Sequence, residues 1–170
     1  MADGASGTLT IRTTVNGSPV SVEVDPSEPL AHTLRSRLGL TGTKVSCDVQ
    51  ACGACTVLVD GLPRSACTFL TYEARDQDVL TVEGISPSDG VLHPLQQAFI
   101  DANAFQCGFC TSGMLVSAYA LLTSESEADD EGLIEYMSGN ICRCTGYLPI
   151  VSAILAARTA LKTRRASGRR

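Results

Sequence analysis

Cys47 to Gly61 reads CDVQACGACTVLVDG. Three cysteines sit among small residues, then comes a short β-branched apolar run, then Asp60-Gly61, a dipeptide that favours a tight hairpin turn. The stretch predicts a gripping loop that feeds a strand, Thr56 to Val59, with Leu62 to Cys67 as the return strand. Upstream, Leu9, Ile11 and Thr13 alternate with Thr10, Arg12 and Thr14, the period of two expected of a strand from Thr8 to Val15. Asn16-Gly17 is a second hairpin turn, and Val20, Val22 and Val24 continue the alternation until Pro26 and Pro29 end it. Leu30, Leu34 and Leu38 then mark one face of a short helix with Gly39 as its C-cap, and Asp78 to Val82 is a last strand. Hairpin, helix and further strands predict an α+β unit, one sheet with a helix across one face.

Beyond this point the period changes. Leu95, Ala98, Phe99 and Ala102 form a stripe within His93 to Ala104, and Leu115, Ala118, Leu121 and Leu122 form another within Thr111 to Leu122. Asp129 to Met137 carries acids in its first turn, and a last helix starts near Pro149 and buries Ile150, Ala153, Ile154, Ala157 and Leu161. Four helices with short connections predict a small bundle. The intervening GISPSDG, Gly84 to Gly90, reads as a connection. The expected organisation is therefore a sheet domain over 8–83, a linker over 84–90, a helical domain over 91–162 and a basic tail over 163–170.

The chain has 170 residues, 44% of them hydrophobic and 18% charged, which suits a packed globular protein. Six of its 13 basic residues lie between Arg158 and Arg170, where there is no acid, so the rest carries seven against all 18 acids. An acidic body argues against binding nucleic acid. No apolar run reaches the roughly 18–20 residues of a membrane span. MADGASGTLT at the start has neither a basic stretch nor an apolar core, so a cytoplasmic location is expected.

In a reducing compartment the eight cysteines are better read as metal ligands than as disulfides. Cys47, Cys52, Cys55 and Cys67 are spaced C-x4-C-x2-C-x11-C, and Cys107, Cys110, Cys142 and Cys144 are spaced C-x2-C-x31-C-x-C. Zinc favours paired C-x2-C knuckles, which the first set does not form, whereas its opening matches the plant-type [2Fe–2S] loop. Ser46, Ala51, Gly53 and Ala54 let backbone N–H groups approach inorganic sulfide, and Gly108 and Thr145-Gly146 give the second set the same character. Two [2Fe–2S] clusters are the favoured reading; zinc sites, and disulfides or redox dithiols, stand as alternatives. One cluster in each half suggests an electron relay.

CDVQACGACTVLVDG, FQCGFCTSGM (Phe105 to Met114) and SGNICRCTGY (Ser138 to Tyr147) together resemble the small iron–sulfur subunit of the xanthine oxidase family of molybdenum hydroxylases, of the carbon monoxide dehydrogenase, quinoline oxidoreductase and nicotine dehydrogenase type. The resemblance implies a β-grasp plant-type ferredoxin domain followed by a four-helix domain. It implies a large partner subunit with molybdenum on molybdopterin cytosine dinucleotide, where substrate is hydroxylated with oxygen from water. Electrons would pass to the cluster of Cys107, Cys110, Cys142 and Cys144, then to that of Cys47, Cys52, Cys55 and Cys67, then to FAD on a medium subunit, in an assembly expected to be a dimer of heterotrimers. Gln106 and Cys144 correspond to positions that lie against the pterin. Two residues depart from the pattern. Gln50 stands where many relatives have Gly and some Ser, so its side chain must point away from the cluster. Ser112 stands where Pro is common, and could cap the following helix.

The remaining candidates read as structural. Phe109 and Tyr147 are expected to pack as shields around the second cluster, and Arg143 either offsets cluster charge or is a solvated cation. His32 and His93 lie too far from either set to be ligands; the first is expected at a solvent-facing helix position and the second at a helix start. The acids Glu125, Glu127, Asp129, Asp130 and Glu131 read as a solvated turn and helix start. No nucleophile, carboxylate pair or phosphate loop suggests bond-making chemistry on this chain. Two readings remain beside the subunit: an independent two-cluster ferredoxin, and a zinc-stabilised interaction module.

Overall fold

The computed structural model describes residues 7–88, 90–124 and 128–167. Glu125, Glu127 and the terminal Arg169-Arg170, all singled out by the sequence, lie outside them.

β1 (Leu9–Val15) and β2 (Ser18–Val24) form an antiparallel hairpin, with Leu9 opposite Val24 and Val15 opposite Ser18. Asn16 and Gly17 take φ of 50° and 78°, the left-handed pair that such a turn requires. β3 (Thr56–Val59) and β4 (Leu62–Ser65) repeat the device around Asp60 and Gly61. β5 (Asp78–Leu80) runs parallel to β1 and antiparallel to β3, giving the sheet order β2-β1-β5-β3-β4. Both β4 and β5 are shorter than the sequence predicts. β5 stops because Thr81 is drawn onto the hairpin turn: its N–H donates to Asn16 Oδ1 at 2.9 Å, and Asn16 Nδ2 donates to its hydroxyl at 2.9 Å. A 3-10 turn, Val82–Gly84, follows.

The helix expected from Leu30 begins as α1 (Leu30–His32) and widens at once into a π-helical turn, Thr33–Arg37. Leu38 N–H donates to Thr33 O at 3.1 Å and Leu40 N–H to Leu34 O at 2.8 Å, closing the end where Gly39 has φ 70°. Leu30 and Leu34 are buried against Val15, Val57, Val59 and Val79. Glu28, itself buried, anchors the turn. Its carboxylate accepts from the Thr33 hydroxyl at 2.5 Å and from both Nε and Nη2 of Arg37 at 2.8 and 2.6 Å. His32 is exposed on its outer side.

The second half is α2 (Pro94–Asp101), α3 (Thr111–Thr123), α4 (Asp130–Met137) and α5 (Leu148–Ala166). His93 caps α2, its Nδ1 accepting from Leu95 N–H at 3.2 Å. Asp129 caps α4 by accepting from Gly132 N–H at 2.9 Å. Ser112 does not cap α3. The N-cap position belongs to Cys110, and Ser112 is already helical, its hydroxyl buried without a partner among the described residues. The basic tail also starts later than the sequence suggests. α5 runs through Thr163 to Ala166, where Arg165 donates to Leu122 O at 3.4 Å.

The two halves share their packing. β3 is buried on both faces: Val57 and Val59 face α1, while Leu58 belongs to the helical core with Leu95, Phe99, Met114 and Ile154. Ile85, inside the expected linker, is buried in that same core.

Candidate metal centres

In the first set the folding of the chain does the gathering. Cys55 immediately precedes β3 and Cys67 closely follows β4, so the hairpin brings them together, with Ala66 N–H donating to Cys55 O at 3.3 Å. α1 pins the same segment from the far side, Leu30 N–H donating to Phe69 O at 2.8 Å and Ala31 N–H to Ala66 O at 2.9 Å. The loop of Cys47 and Cys52 is wound by left-handed residues, Asp48, Gln50 and Gly53 at φ 57°, 59° and 71°. This winding aims amides inward. Ala51 N–H donates to Cys47 Sγ at 3.3 Å, and the N–H groups of Val49 and Ala51, with Cys52, hold the Cys47 thiol down to about 6. Burial pushes Cys55 up to about 12, with the neighbouring Cys67 thiol adding to the shift. Gln50 turns outward, and its Oε1 accepts from the Thr68 hydroxyl at 3.1 Å.

The second set comes from two inter-helix connections. Cys107 and Cys110 join α2 to α3, and Cys142 and Cys144 join α4 to α5. Cys144 Sγ lies 3.6 Å from Cys107 Sγ, and both are exposed. Cys110 and Cys142 pair deeper in, and burial with the Cys142 thiol beside it pushes Cys110 up to about 12. Burial also acts on Cys142, but the Thr145 hydroxyl and the N–H groups of Thr145 and Cys144 outweigh it and hold that thiol low.

Within each set the thiols act on one another: Cys55 feels both Cys67 and Cys52, and Cys110 feels both Cys142 and Cys107, so each set of four is gathered in one place. Among the described residues no three His, Cys, Asp or Glu side chains close round a point that a single ion would fill. Four gathered thiols in each set suit a [2Fe–2S] unit of the plant type, whose protein donors are all sulfur.

Residues 13–81 match the family model described as "2Fe-2S iron-sulfur cluster binding domain", and residues 81–155 the one described as "[2Fe-2S] binding domain". The chain is 48% identical over 143 residues to the nicotine 6-hydroxylase small subunit of Paenarthrobacter nicotinovorans, covering 84% of this chain and 86% of that one. It is 42% identical over 146 residues to the nicotinate dehydrogenase small FeS subunit of Eubacterium barkeri, covering 86% and 92%. The crystal structure of quinoline 2-oxidoreductase from Pseudomonas putida 86 contains a chain that matches with a TM-score of 0.86 at 42% identity, covering 92% of this chain and 97% of that one. The chain belongs to the small iron–sulfur subunits of the xanthine oxidase family of molybdenum hydroxylases. It is an electron-transfer subunit of an oxidoreductase.

In this small subunit the two cysteine loops touch each other. Ile141 N–H donates to Cys52 O at 2.9 Å, and Asn140 Nδ2 to Gly53 O at 3.1 Å. Gly113 of α3 lies so close that a Cβ there would stand 2.1 Å from Gly53 O. Sequence reasoning missed this seam, although Asn140 and Ile141 lie inside the quoted SGNICRCTGY string. Gln106 and Arg143 are exposed and make no hydrogen bond among the described residues. Phe109 and Tyr147, expected as shields, are both exposed, together with Phe105, Ile141 and Leu148. Tyr147 instead braces Cys142, its phenol oxygen accepting from Cys142 N–H at 3.0 Å. Among the described residues no helix is long and apolar enough to cross a membrane.

Proposed function

We propose that Cys47, Cys52, Cys55 and Cys67 hold one [2Fe–2S] cluster, and that Cys107, Cys110, Cys142 and Cys144 hold the second. When bound, the clusters supply one-electron relay chemistry, from a large subunit carrying molybdenum on molybdopterin cytosine dinucleotide, through the second set and then the first, to FAD on a medium subunit. The observation that carries the direction is exposure. Cys107 and Cys144 stand exposed next to the exposed Gln106, whereas no thiol of the first set is exposed: Cys47 and Cys52 are half-buried and Cys55 and Cys67 buried. Gln106 and Cys144 are the contacts we assign to the pterin. The exposed apolar side chains Phe105, Phe109, Ile141 and Leu148 lie within four residues of Cys107 or Cys144 along the chain and suit a covering subunit. Ile141 N–H, one residue before Cys142, bonds to the carbonyl of Cys52, so the chain itself bridges the two ligand sets. The full assembly is proposed as a dimer of heterotrimers.

The native complex is expected to carry about four iron and four acid-labile sulfide per small subunit, with two distinct electron paramagnetic resonance signals. Cys144→Ala is expected to remove one signal and stop reduction of the other by substrate. Cys52→Ala is expected to leave the second cluster reducible by substrate while acceptor reduction stops. Normal turnover in either variant overturns the series order. A native protein that is colourless, or monomeric without molybdenum and flavin subunits, overturns the subunit reading.

A further inference from the structure

Three short contacts close a ring in the segment that follows Cys142. Thr145 Oγ1 lies 3.2 Å from Cys142 Sγ. Tyr147 N–H donates to the same Thr145 oxygen at 3.2 Å. The phenol oxygen of Tyr147 accepts from Cys142 N–H at 3.0 Å. Tyr147 holds φ 68°, a left-handed conformation that a bulky residue adopts only where its surroundings impose it. Here the imposition is visible, because one residue is tied through its amide to Thr145 and through its side chain to Cys142.

The ring fixes the direction of the hydroxyl. A threonine hydroxyl has one proton, and Tyr147 N–H already occupies one of its lone pairs. A sulfur bound to iron is a thiolate with no proton to give. The bond between Thr145 and Cys142 then runs one way, O–H to S. Cys142 is 7% exposed, so water competes little for that sulfur.

We infer that Thr145 is a potential-setting residue of the second cluster, its hydroxyl donating to the Cys142 thiolate and favouring the reduced state. The reason is electrostatic. Reduction adds negative charge that is shared with the ligand sulfurs, and a donor aimed at one of them stabilises the more negative state. The donor seen at the first set, Ala51 N–H on Cys47, is a backbone amide that only proline would remove. Thr145 places the same influence on a side chain. The inference rests on Cys142 being an iron ligand.

The test is a redox titration of the assembled complex, following each cluster by its own electron paramagnetic resonance signal. Thr145→Val keeps the shape and deletes the donor. It is expected to lower the second cluster's reduction equilibrium about tenfold, about 59 mV for one electron, and to leave the first cluster unmoved. Thr145→Ser is expected to restore the original potential, and Thr145→Ala, which cannot overpack the half-buried site, to repeat the valine result. An unchanged second potential, an equal shift of both clusters, or a serine variant that behaves like valine overturns the inference. So does loss of the second cluster in both the valine and alanine variants with retention in serine, which would make Thr145 an assembly residue. If the unaltered complex lacks the second signal, it is the ligand assignment that fails, an outcome distinct from all of these.

Discussion

Asn140 is a buried side chain that reaches from one cysteine loop to the other. Its Nδ2 shares Gly53 O with the N–H and hydroxyl of Thr56, at 3.2 and 2.7 Å. Asn140→Ala therefore leaves no orphaned carbonyl, and is expected to cost about 1 kcal/mol, the ordinary net worth of one hydrogen bond. The check is a lower urea midpoint with unchanged slope. Asn140→Asp, which turns a carboxylate oxygen toward a carbonyl, is expected to cost more. The same fine scale shows how a side chain adapts to an unfavourable backbone. Gln50 occupies φ 59°, where glycine would be easier, and recovers a hydrogen bond from Thr68. The sequence marks Gln50 as a departure and requires its side chain to turn away. It gives no hint of the partner, because Thr68 comes alongside only through the β3–β4 hairpin.

Among the elements, α1 and its π-helical turn depend on a charge. Two Arg37 nitrogens, with Thr33 and His32, hold the Glu28 carboxyl down to about 2 against an ordinary value of 4.5, even though burial opposes them. A carboxyl whose pKa is lowered by folding stabilises the protein above its unfolded value and loses that contribution as the pH falls through the folded one. Stability is therefore expected to decline as the pH drops from 4.5 toward 2. Glu28→Gln is expected to be less stable at neutral pH and to show a flatter acid limb. Urea midpoints followed by circular dichroism across that range decide it. The leucine spacing alone predicts a helix here, and one forms. Its widening into a π-helical turn was not legible, because no local rule ties Glu28 to Arg37. Ser112 shows the converse. Its type suits an N-cap, but the chain enters α3 earlier, at Cys110.

For the fold as one body, residues 84–90 pack as well as connect. Ile85 is buried in the helical core, Leu58 of the sheet belongs to it too, and Gly113 admits the Gly53 carbonyl where a methyl group would collide. Halves that share a core unfold together. The small subunit is expected to lose both clusters and its helical circular dichroism in one coincident transition. Two separated transitions, one for each cluster, would show the halves to be independent.

The α+β order of elements, both hairpin turns, the four helices and the two sets of four cysteines are all legible along the chain. They depend on local periods, turn chemistry and spacing, which neighbouring residues settle among themselves. Folding in three dimensions was needed to establish that Cys144 comes to lie beside Cys107, that Cys52 and Gly53 bond to Ile141 and Asn140, and that β3 is covered on both faces. Those are contacts between segments dozens of residues apart. They arise from where packing places each segment, and a linear pattern carries no record of that distance.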